Sequence, residues 1–157
     1  MLAAAARVAG TLRALGAPGE AFSDDAKAIL YASALAPLGW AVQMDFGETC
    51  GMGTPGKPVF WLKPGDPATT PLHLAFHASE RAQVDGFHAA ALAAGATDNG
   101  KPGLREQYHP SYYGAFVIDP DGHNIEAVCH RPAGEHAPAG KAGPSRARKA
   151  RSARARP

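Results

Sequence analysis

The stretch Tyr113-Gly-Ala-Phe-Val-Ile-Asp-Pro-Asp-Gly-His-Asn-Ile-Glu-Ala-Val128 carries the clearest structural signal in the chain. It predicts two strands, Tyr113 to Asp119 and His123 to His130, joined by an Asp-Pro-Asp-Gly turn of type I or II. Side chains alternate along the second strand, so that Ile125, Ala127 and Cys129 share one face and Asn124, Glu126, Val128 and His130 the other. The stretch therefore predicts a hairpin with one apolar face and one face that carries a carboxylate.

The residues before this hairpin predict a strand followed by a helix. Residues 71–77 alternate strictly, which places Leu72, Leu74 and Phe76 on one face and His73, Ala75 and His77 on the other. Ser79 to Gly95 has apolar residues at helical spacing, with Ser79 as the expected N-cap and Gly95 as the expected stop. A loop rich in Gly, Pro and Asn follows. The order is β-α-β-β, with a further strand after the helix left open.

The first half of the chain predicts a similar unit without its opening strand. Ser23 to Ala36 is typical of a helix, because Ser23 can cap it and acidic residues follow at its positive end. Trp40 to Phe46 and Lys57 to Leu62 predict strands around a glycine-rich turn, Gly47 to Gly56. No alternating strand precedes the helix. The two halves are therefore interpreted as one duplicated unit whose first copy is incomplete.

Composition indicates a globular protein with a basic tail. The 157 residues are 45% hydrophobic and 19% charged, which is typical of folded domains. No apolar run is long enough to span a membrane, and the N-terminal segment is a poor secretory signal. Seven of the 16 basic residues follow Glu135, the last acidic residue. The two cysteines form no C-x-x-C motif, which favours a reducing, cytoplasmic location.

His73 and Glu126 are the residues best suited to chemistry. Each lies on the polar side of an alternating strand, and the two side chains would converge if the strands are neighbours in a curved sheet. Imidazole and carboxylate are ligands expected for Zn, Fe, Ni or Mn. The alternative is that both are ordinary polar residues at a sheet surface.

The aromatic loop from Leu104 to Tyr113 is a second candidate. Its tyrosines and histidine combine apolar rings with polar tips, which suits a pocket wall for a small oxygenated ligand. Arg105 could hold a carboxylate through two hydrogen bonds. The alternative is a loop that packs against the sheet edge. The expected ligand-contacting residues are Trp61, Arg105, Tyr108, His109, Tyr112 and Tyr113.

The segments Leu72-His-Leu-Ala-Phe76, Arg81 to Gly95 and residues 113–128 together resemble the vicinal oxygen chelate superfamily. This superfamily includes glyoxalase I, bleomycin-resistance proteins and extradiol dioxygenases. Ala34-Leu-Ala-Pro-Leu-Gly39 is similar to its helix-to-strand junction. The resemblance covers roughly Phe22 to His130. It implies an α+β fold of two βαβββ modules that form a curved mixed sheet around a cleft, often completed in a symmetric homodimer.

On this basis the expected organisation has three parts. Residues 1–21 form an atypical N-terminal segment that leaves the opening strand of the first module incomplete or missing. Residues 22–131 form the glyoxalase-like domain, with modules 22–66 and 70–131. Residues 132–157 form a disordered basic tail, because they contain no large apolar side chain. Nucleic-acid contact is expected only as nonspecific binding by this tail.

The resemblance also implies roles for the candidate residues. His73 and Glu126 match metal-ligand positions of the second module, and Glu126 matches the catalytic carboxylate. The first module departs from the pattern, since Val59-Phe-Trp-Leu62 stands where a ligating Glu is expected. His77 or His130 could complete the ligand set. The implied cofactor is one divalent ion (Zn, Ni, Fe or Mn), with no nucleotide cofactor.

These observations leave two possible functions, and a third possibility that the chain is a degenerate product. The first is a glyoxalase or lactoylglutathione-lyase-like enzyme, or a dioxygenase, that acts on a small oxygenated or thiol-adduct substrate. There Glu126 would move a proton beside a metal-polarised carbonyl. The second is a non-catalytic small-molecule binding or sequestering protein of the bleomycin-resistance type. The absent first-module ligands favour the binder and the His73–Glu126 pair favours the enzyme. The third reading is a degenerate product whose first sheet has an uncovered edge.

Overall fold

The computed structural model describes residues 25–47, 49–63, 65 and 70–135. Predictions for the segment 1–21, for the cap at Ser23 and for residues 136–157 lie outside the described residues. Within the described part of the chain, no helix is long and apolar enough to cross a membrane.

The described chain contains helices and strands in the order expected of an α+β protein, which confirms the fold class. The elements are α1 (Asp25–Leu35), a short 3-10 helix (Ala36–Leu38), β1 (Ala41–Asp45), β2 (Cys50–Thr54), β3 (Lys57–Leu62), β4 (His73–His77), α2 (Arg81–Ala93), β5 (Thr97–Leu104), β6 (Tyr113–Ile118) and β7 (Asn124–Cys129).

The second sheet has the strand order β4-β7-β6-β5. β4 runs parallel to β7, and Ala75 lies opposite Glu126 in their register. β6 is antiparallel to β7, and Phe116 lies opposite Glu126. Because side chains alternate between faces, His73 and Glu126 lie on one face of adjacent strands. This open face carries the exposed side chains of β4, namely His73, Ala75 and His77.

The first sheet has the order β1-β2-β3, with antiparallel neighbours. Its middle strand β2 corrects the prediction of a glycine-rich turn over residues 47–56. The glycines of β2 allow neighbouring groups to approach the backbone closely. A Cβ at Gly51 would lie 2.8 Å from the Trp61 ring, and one at Gly53 would lie 2.0 Å from the Lys57 carbonyl oxygen. Met52 between them is buried in the core. Turn residues lie on both sides of β2, at Gly47 before it and at Pro55 and Gly56 after it.

The strand left open after the helix is present as β5, within the segment rich in Gly, Pro and Asn. Its pairing with β6 shifts register on either side of Gly100. Such bulges break the alternation of side chains, and β5 lies at the edge of the described sheet, where Pro102 is tolerated. The periodicity that identifies a strand is therefore missing from this segment.

The predicted helix after β4 is confirmed, although its N-cap is Glu80 and not Ser79. The Gln83 side-chain oxygen accepts hydrogen bonds from the backbone N–H groups of Ser79 and Glu80, at 2.7 and 3.3 Å. Gln83 is the third residue of the helix, and its side-chain contact with the Glu80 N–H is one half of a capping box, which makes Glu80 the N-cap. Gly95 follows the helix with a φ of 103°, as expected of a helix stop.

The core joins the two sheets through the helices and through aromatic contacts. Phe76 of β4 packs edge-on against Trp40 and Phe60, with ring centroids 5.4 and 5.3 Å apart. The apolar side of β7, Ile125, Ala127 and Cys129, is fully buried here, as predicted. Both sheets therefore turn one face to a shared core, which leaves the opposite face of the second sheet for polar side chains.

Candidate functional site

Glu126 is a buried carboxylate at the centre of the second sheet. The residue is 1% exposed, and burial of a carboxylate is costly unless hydrogen bonds satisfy it. Both oxygens have partners: Oε2 lies 3.0 Å from Nε2 of His73, and Oε1 accepts a hydrogen bond from the Tyr112 hydroxyl. The carboxylate is thus held at two points on one face of the sheet.

His73 connects this carboxylate to solvent. It opens β4, and its side chain is 54% exposed, whereas that of Glu126 is 2% exposed. Because a carboxylate oxygen can only accept, the N–H group at Nε2 donates the hydrogen bond to Oε2. The imidazole also lies beside the Phe116 ring, 6.2 Å between centroids. The predicted convergence of positions 73 and 126 is present in the structure as a direct contact.

Tyr112 lies just before β6, on the same face as Glu126. Burial, followed by the hydrogen bond to Glu126, raises the pKa of its hydroxyl above the ordinary tyrosine value. Gly114 provides the space, since a Cβ there would lie 3.1 Å from both Oε1 of Glu126 and a ring carbon of Tyr112. The protonated hydroxyl is therefore the donor in this bond.

Tyr108 of the loop and His130 after β7 pack against the Tyr112 ring. The Tyr108 ring packs against that of Tyr112 with centroids 5.2 Å apart, and the ring of His130 lies 5.1 Å from it on another side. His109 packs against His130 at 6.2 Å, and its Nδ1 accepts a hydrogen bond from the Ser111 N–H. Tyr108, His109, Tyr112 and His130 thus form one cluster of rings, and Tyr112 connects this cluster to Glu126.

Tyr113 lies apart from this cluster. Its hydroxyl donates to Asp85 on α2, at 2.8 Å, and the Arg81 guanidinium lies over its ring at 5.0 Å. Consecutive residues of a strand point to opposite faces, which explains why Tyr112 and Tyr113 separate. Ligand contact by Tyr113 stays a prediction, and its observed partners belong to the helix side of the sheet.

Arg105 and Trp61 also have protein partners of their own. The Arg105 guanidinium donates to the carbonyl oxygens of Lys101 and Leu104, at 2.7 and 3.3 Å, and lies 5.6 Å over the Phe116 ring. Phe116 contacts His73 as well, so Arg105 borders the site. Trp61 belongs to the first sheet and stacks on Phe46, with centroids 6.3 Å apart and ring planes within 8°.

The donor set at the site is incomplete for a metal ion. His73 and Glu126 offer two ligand atoms 3.0 Å apart, whereas catalytic zinc sites use three protein ligands. Among residues 25–135 as far as the structure describes them, the one group of three close donors lies elsewhere. The pair by itself does not form a metal centre, and metal ligation by His73 and Glu126 stays a prediction.

That other group is Asp119, Asp121 and His123, in the turn between β6 and β7, whose donor atoms lie within 4.8 Å of one another. Sequence reasoning did not select it, although the Asp-Pro-Asp-Gly-His spacing was visible. Asp119 accepts hydrogen bonds from the Tyr31 hydroxyl and from two backbone N–H groups of its turn. Asp121 binds Lys27 at 2.6 Å, and Nδ1 of His123 accepts from the Leu72 N–H. These contacts fix the turn against α1 and β4.

Comparison with solved structures places this architecture among known folds. The chain is similar to a glyoxalase/bleomycin resistance protein from Albidiferax ferrireducens T118, with 27% identity and a TM-score of 0.57 over 67% of this chain and 89% of that chain. It also resembles a glyoxalase/bleomycin resistance protein/dioxygenase family enzyme from Burkholderia phytofirmans PsJN, with 18% identity and a TM-score of 0.54 over 71% of this chain and 93% of that chain.

A third similar structure is a glyoxalase-related enzyme from Fulvimarina pelagi, with 19% identity and a TM-score of 0.50 over 69% of this chain and 81% of that chain. No family model and no curated protein matches the sequence. These similar structures agree with the fold expected from the sequence. The chain has the fold of the vicinal oxygen chelate superfamily, the fold shared by glyoxalase, bleomycin-resistance and dioxygenase proteins.

Proposed function

We propose that the protein is a glyoxalase-type enzyme in which Glu126 transfers a proton. The observation that carries this proposal is the carboxylate of Glu126, 1% exposed and hydrogen-bonded to His73 and Tyr112 on the open face of the second sheet. Buried carboxylates with polar neighbours are typical of general bases. The fold alone does not carry it, because one fold supports many reactions.

The proposed reaction is an isomerisation of a carbonyl compound. Glu126 removes a proton from the hydroxyl-bearing carbon next to a carbonyl, which leaves an enediolate, and returns it to the former carbonyl carbon, while the hydroxyl proton passes to the former carbonyl oxygen. No electron donor or acceptor is consumed, since the oxidation of one carbon balances the reduction of the other. The substrate class is a small oxygenated compound or the thiol adduct of a 2-oxoaldehyde. Rings of Tyr108, Tyr112 and Phe116 would flank it.

A divalent ion bound by His73, Glu126 and donors beyond this pair would polarise the substrate carbonyl. The proton transfer described above is assigned to Glu126 alone. Metal content is therefore measured separately from turnover, in the purified full chain and in the His73→Ala and Glu126→Ala variants. Stoichiometric metal that both variants lose would support ligation by this pair.

The test of the proposed function uses the adduct of methylglyoxal and glutathione in deuterated water, with product formation followed by proton NMR. The protein is assayed as purified and after addition of Zn²⁺, Ni²⁺, Fe²⁺ or Mn²⁺. We expect turnover by the parent chain and its loss in Glu126→Gln. Equal turnover by the parent and by Glu126→Gln would contradict the role of the carboxylate. Oxygen uptake with catechols tests the dioxygenase reaction in the same way.

A second candidate function is supported by the first sheet. Phe46 and Trp61 stack on its exposed surface, where they are 71% and 43% exposed. Paired aromatic rings at a surface suit the binding of a flat aromatic or cationic compound. A sequestering protein would quench Trp61 fluorescence on adding such a compound, for example bleomycin, and would show no turnover. Loss of the quenching in Trp61→Phe would support this alternative.

The partner and the location stay predictions. A homodimer is expected from the superfamily, and the exposed apolar side chains of the first sheet, Met44, Phe46, Val59 and Trp61, are compatible with a contact between subunits. Light scattering during gel filtration measures this directly. A monomer at every concentration would contradict it. The cytoplasmic location is tested by cell fractionation.

A further inference from the structure

We propose that Tyr112 is a positioning residue for Glu126. Its hydroxyl donates to Oε1 of the carboxylate, so that proton transfer is assigned to Oε2, the oxygen that contacts the exposed His73. This inference rests on the proposed function, since it concerns the same carboxylate. It assigns Tyr112 a role through Glu126, in addition to the ligand contact expected from its place in the aromatic loop.

The neighbouring tyrosine shows why the contact of Tyr112 is specific. Tyr112 and Tyr113 each donate a hydroxyl hydrogen bond to a carboxylate. The acceptor of Tyr113 is Asp85, an exposed residue of α2 on the helix side of the sheet. The acceptor of Tyr112 is Glu126, which is 1% exposed. An exposed carboxylate can exchange a protein donor for water, whereas a buried one depends on the donors that the protein provides.

Gly114 supplies independent support. A glycine inside a strand weakens the strand and often marks a close approach of other atoms. Gly114 does not have a positive φ, so no unusual backbone conformation requires it. A Cβ at this position would lie 3.1 Å from Oε1 of Glu126 and 3.1 Å from Cε1 of Tyr112. The residue therefore leaves space at the very contact between the hydroxyl and the carboxylate.

The rings around Tyr112 restrict its movement. Tyr108 and His130 pack edge-on against it, at 5.2 and 5.1 Å between centroids. Because the ring is packed on two sides, the hydroxyl has a defined position from which to donate. Removal of the hydroxyl leaves Oε1 without this donor, and we expect the carboxylate to rotate or to admit water. For a proton transfer that requires a defined geometry, such a change lowers kcat.

The substrate-free test is NMR of protein labelled with ¹³C at Cδ of glutamate and at Cζ of tyrosine. We expect the Glu126 Cδ resonance to shift in Tyr112→Phe and to stay in place in Tyr113→Phe, the matched control. Reciprocally, the Tyr112 Cζ resonance should shift in Glu126→Gln. Thermal unfolding confirms that each variant is folded. If Tyr112→Phe does not fold, the Glu126→Gln measurement tests the same contact from the other side.

Gly114→Ala keeps the Tyr112 hydroxyl but fills the space beside it. We expect it to shift the Glu126 Cδ resonance as well. A Glu126 resonance that is unchanged in both Tyr112→Phe and Gly114→Ala would overturn the proposal.

The kinetic test uses the substrate found in the turnover assay. We expect Tyr112→Phe to lower kcat about 10- to 100-fold, the effect of losing one hydrogen bond to a charged group, with KM changed less than about threefold. A shifted resonance with unchanged kcat would overturn the positioning role. If the resonance shifts but the parent chain turns over no substrate, the contact between Tyr112 and Glu126 is supported and the proposed enzyme function fails. The NMR and turnover measurements therefore distinguish failure of the contact from failure of the function.

Discussion

The two sheets pack against one core and differ in strand order and in the chemistry of their outward faces. Each turns one face to the common core and the helices. The outward face of the first sheet carries Met44, Phe46, Val59 and Trp61, all of them exposed. The open face of the second sheet carries a buried carboxylate with an imidazole and a phenol as partners. A sheet that covers the core therefore has an apolar outward surface in one half and acid–base groups in the other, so the side chains and not the fold alone locate the chemistry.

The largest effect is expected from Glu126→Gln, which keeps the shape of the side chain and removes its basicity. If the second sheet carries the chemistry, turnover falls about 10²- to 10⁴-fold, the contribution of a general acid–base group. Product formation measured by proton NMR checks this.

The control for that variant is Asp85→Asn, which changes the carboxylate that accepts from Tyr113 on the helix side. We expect its turnover to stay within about threefold of the parent, since Asp85 lies outside the site. Equal losses in both variants would mean that general destabilisation, and not the position of Glu126, lowers the activity.

The next effect concerns the contact that joins the halves. Asp119 in the second half accepts a hydrogen bond of 2.8 Å from the buried hydroxyl of Tyr31 on α1. It also accepts hydrogen bonds from two backbone N–H groups of its own turn. Asp119→Ala is expected to lower the free energy of unfolding by about 3 kcal/mol, because buried donors lose a charged acceptor. Urea unfolding measures it. The exposed ion pair of Asp121 provides the control, and Asp121→Ala should cost less than about 1 kcal/mol.

Tyr31 predicts a pH dependence of stability. Burial, and then its hydrogen bond to Asp119, raise the pKa of Tyr31 above its ordinary value of 10.0. Above that pH the unfolded chain ionises this tyrosine while the folded chain keeps it protonated. The free energy of unfolding should therefore fall as pH rises above about 10, by about 1.4 kcal/mol per pH unit for this one group. Urea midpoints between about pH 9 and pH 11 measure the slope. A slope that is the same in Tyr31→Phe would contradict the assignment.

The smallest effect is expected on the face of the first sheet. The chain has two tryptophans; Trp61 is 43% exposed, whereas Trp40 is partly buried against the core. Trp61→Phe should remove most of the fluorescence that acrylamide can quench and change the free energy of unfolding by less than about 1 kcal/mol. Strong quenching that survives in Trp61→Phe would show that Trp40 is the exposed residue and that the two faces are assigned wrongly.

Part of this architecture could be predicted from the sequence because regular alternation survives in it. The segments of β4 and β7 alternate in sequence, and this alternation placed His73 and Glu126 on the polar faces of their strands. β2 was predicted as a turn and β5 was left open, because neither segment shows such alternation. Their glycines accommodate the Trp61 ring, the Lys57 carbonyl and the register shifts near Gly100, and such residues read as turns when only local sequence is considered.

The partners of the candidate residues were less predictable than their faces. The aromatic loop was recognised, but its contact between Tyr112 and Glu126 depends on the path of the chain between them. Likewise, Tyr31 and Asp119 are 88 positions apart in sequence, and no local pattern links them. Hydrogen bonds of this kind arise from tertiary packing, which periodicity does not encode.

The most direct test of the account compares two histidine–carboxylate pairs of equal length by ¹⁵N NMR of the imidazoles. His73 lies 3.0 Å from Glu126 on the open face, and His88 lies 3.0 Å from Asp98 between α2 and β5. In Glu126→Gln we predict that the imidazole resonances of His73 shift while those of His88 stay in place, and that Asp98→Asn has the opposite effect. Unchanged His73 resonances in Glu126→Gln would contradict the pairing on which the proposed chemistry depends.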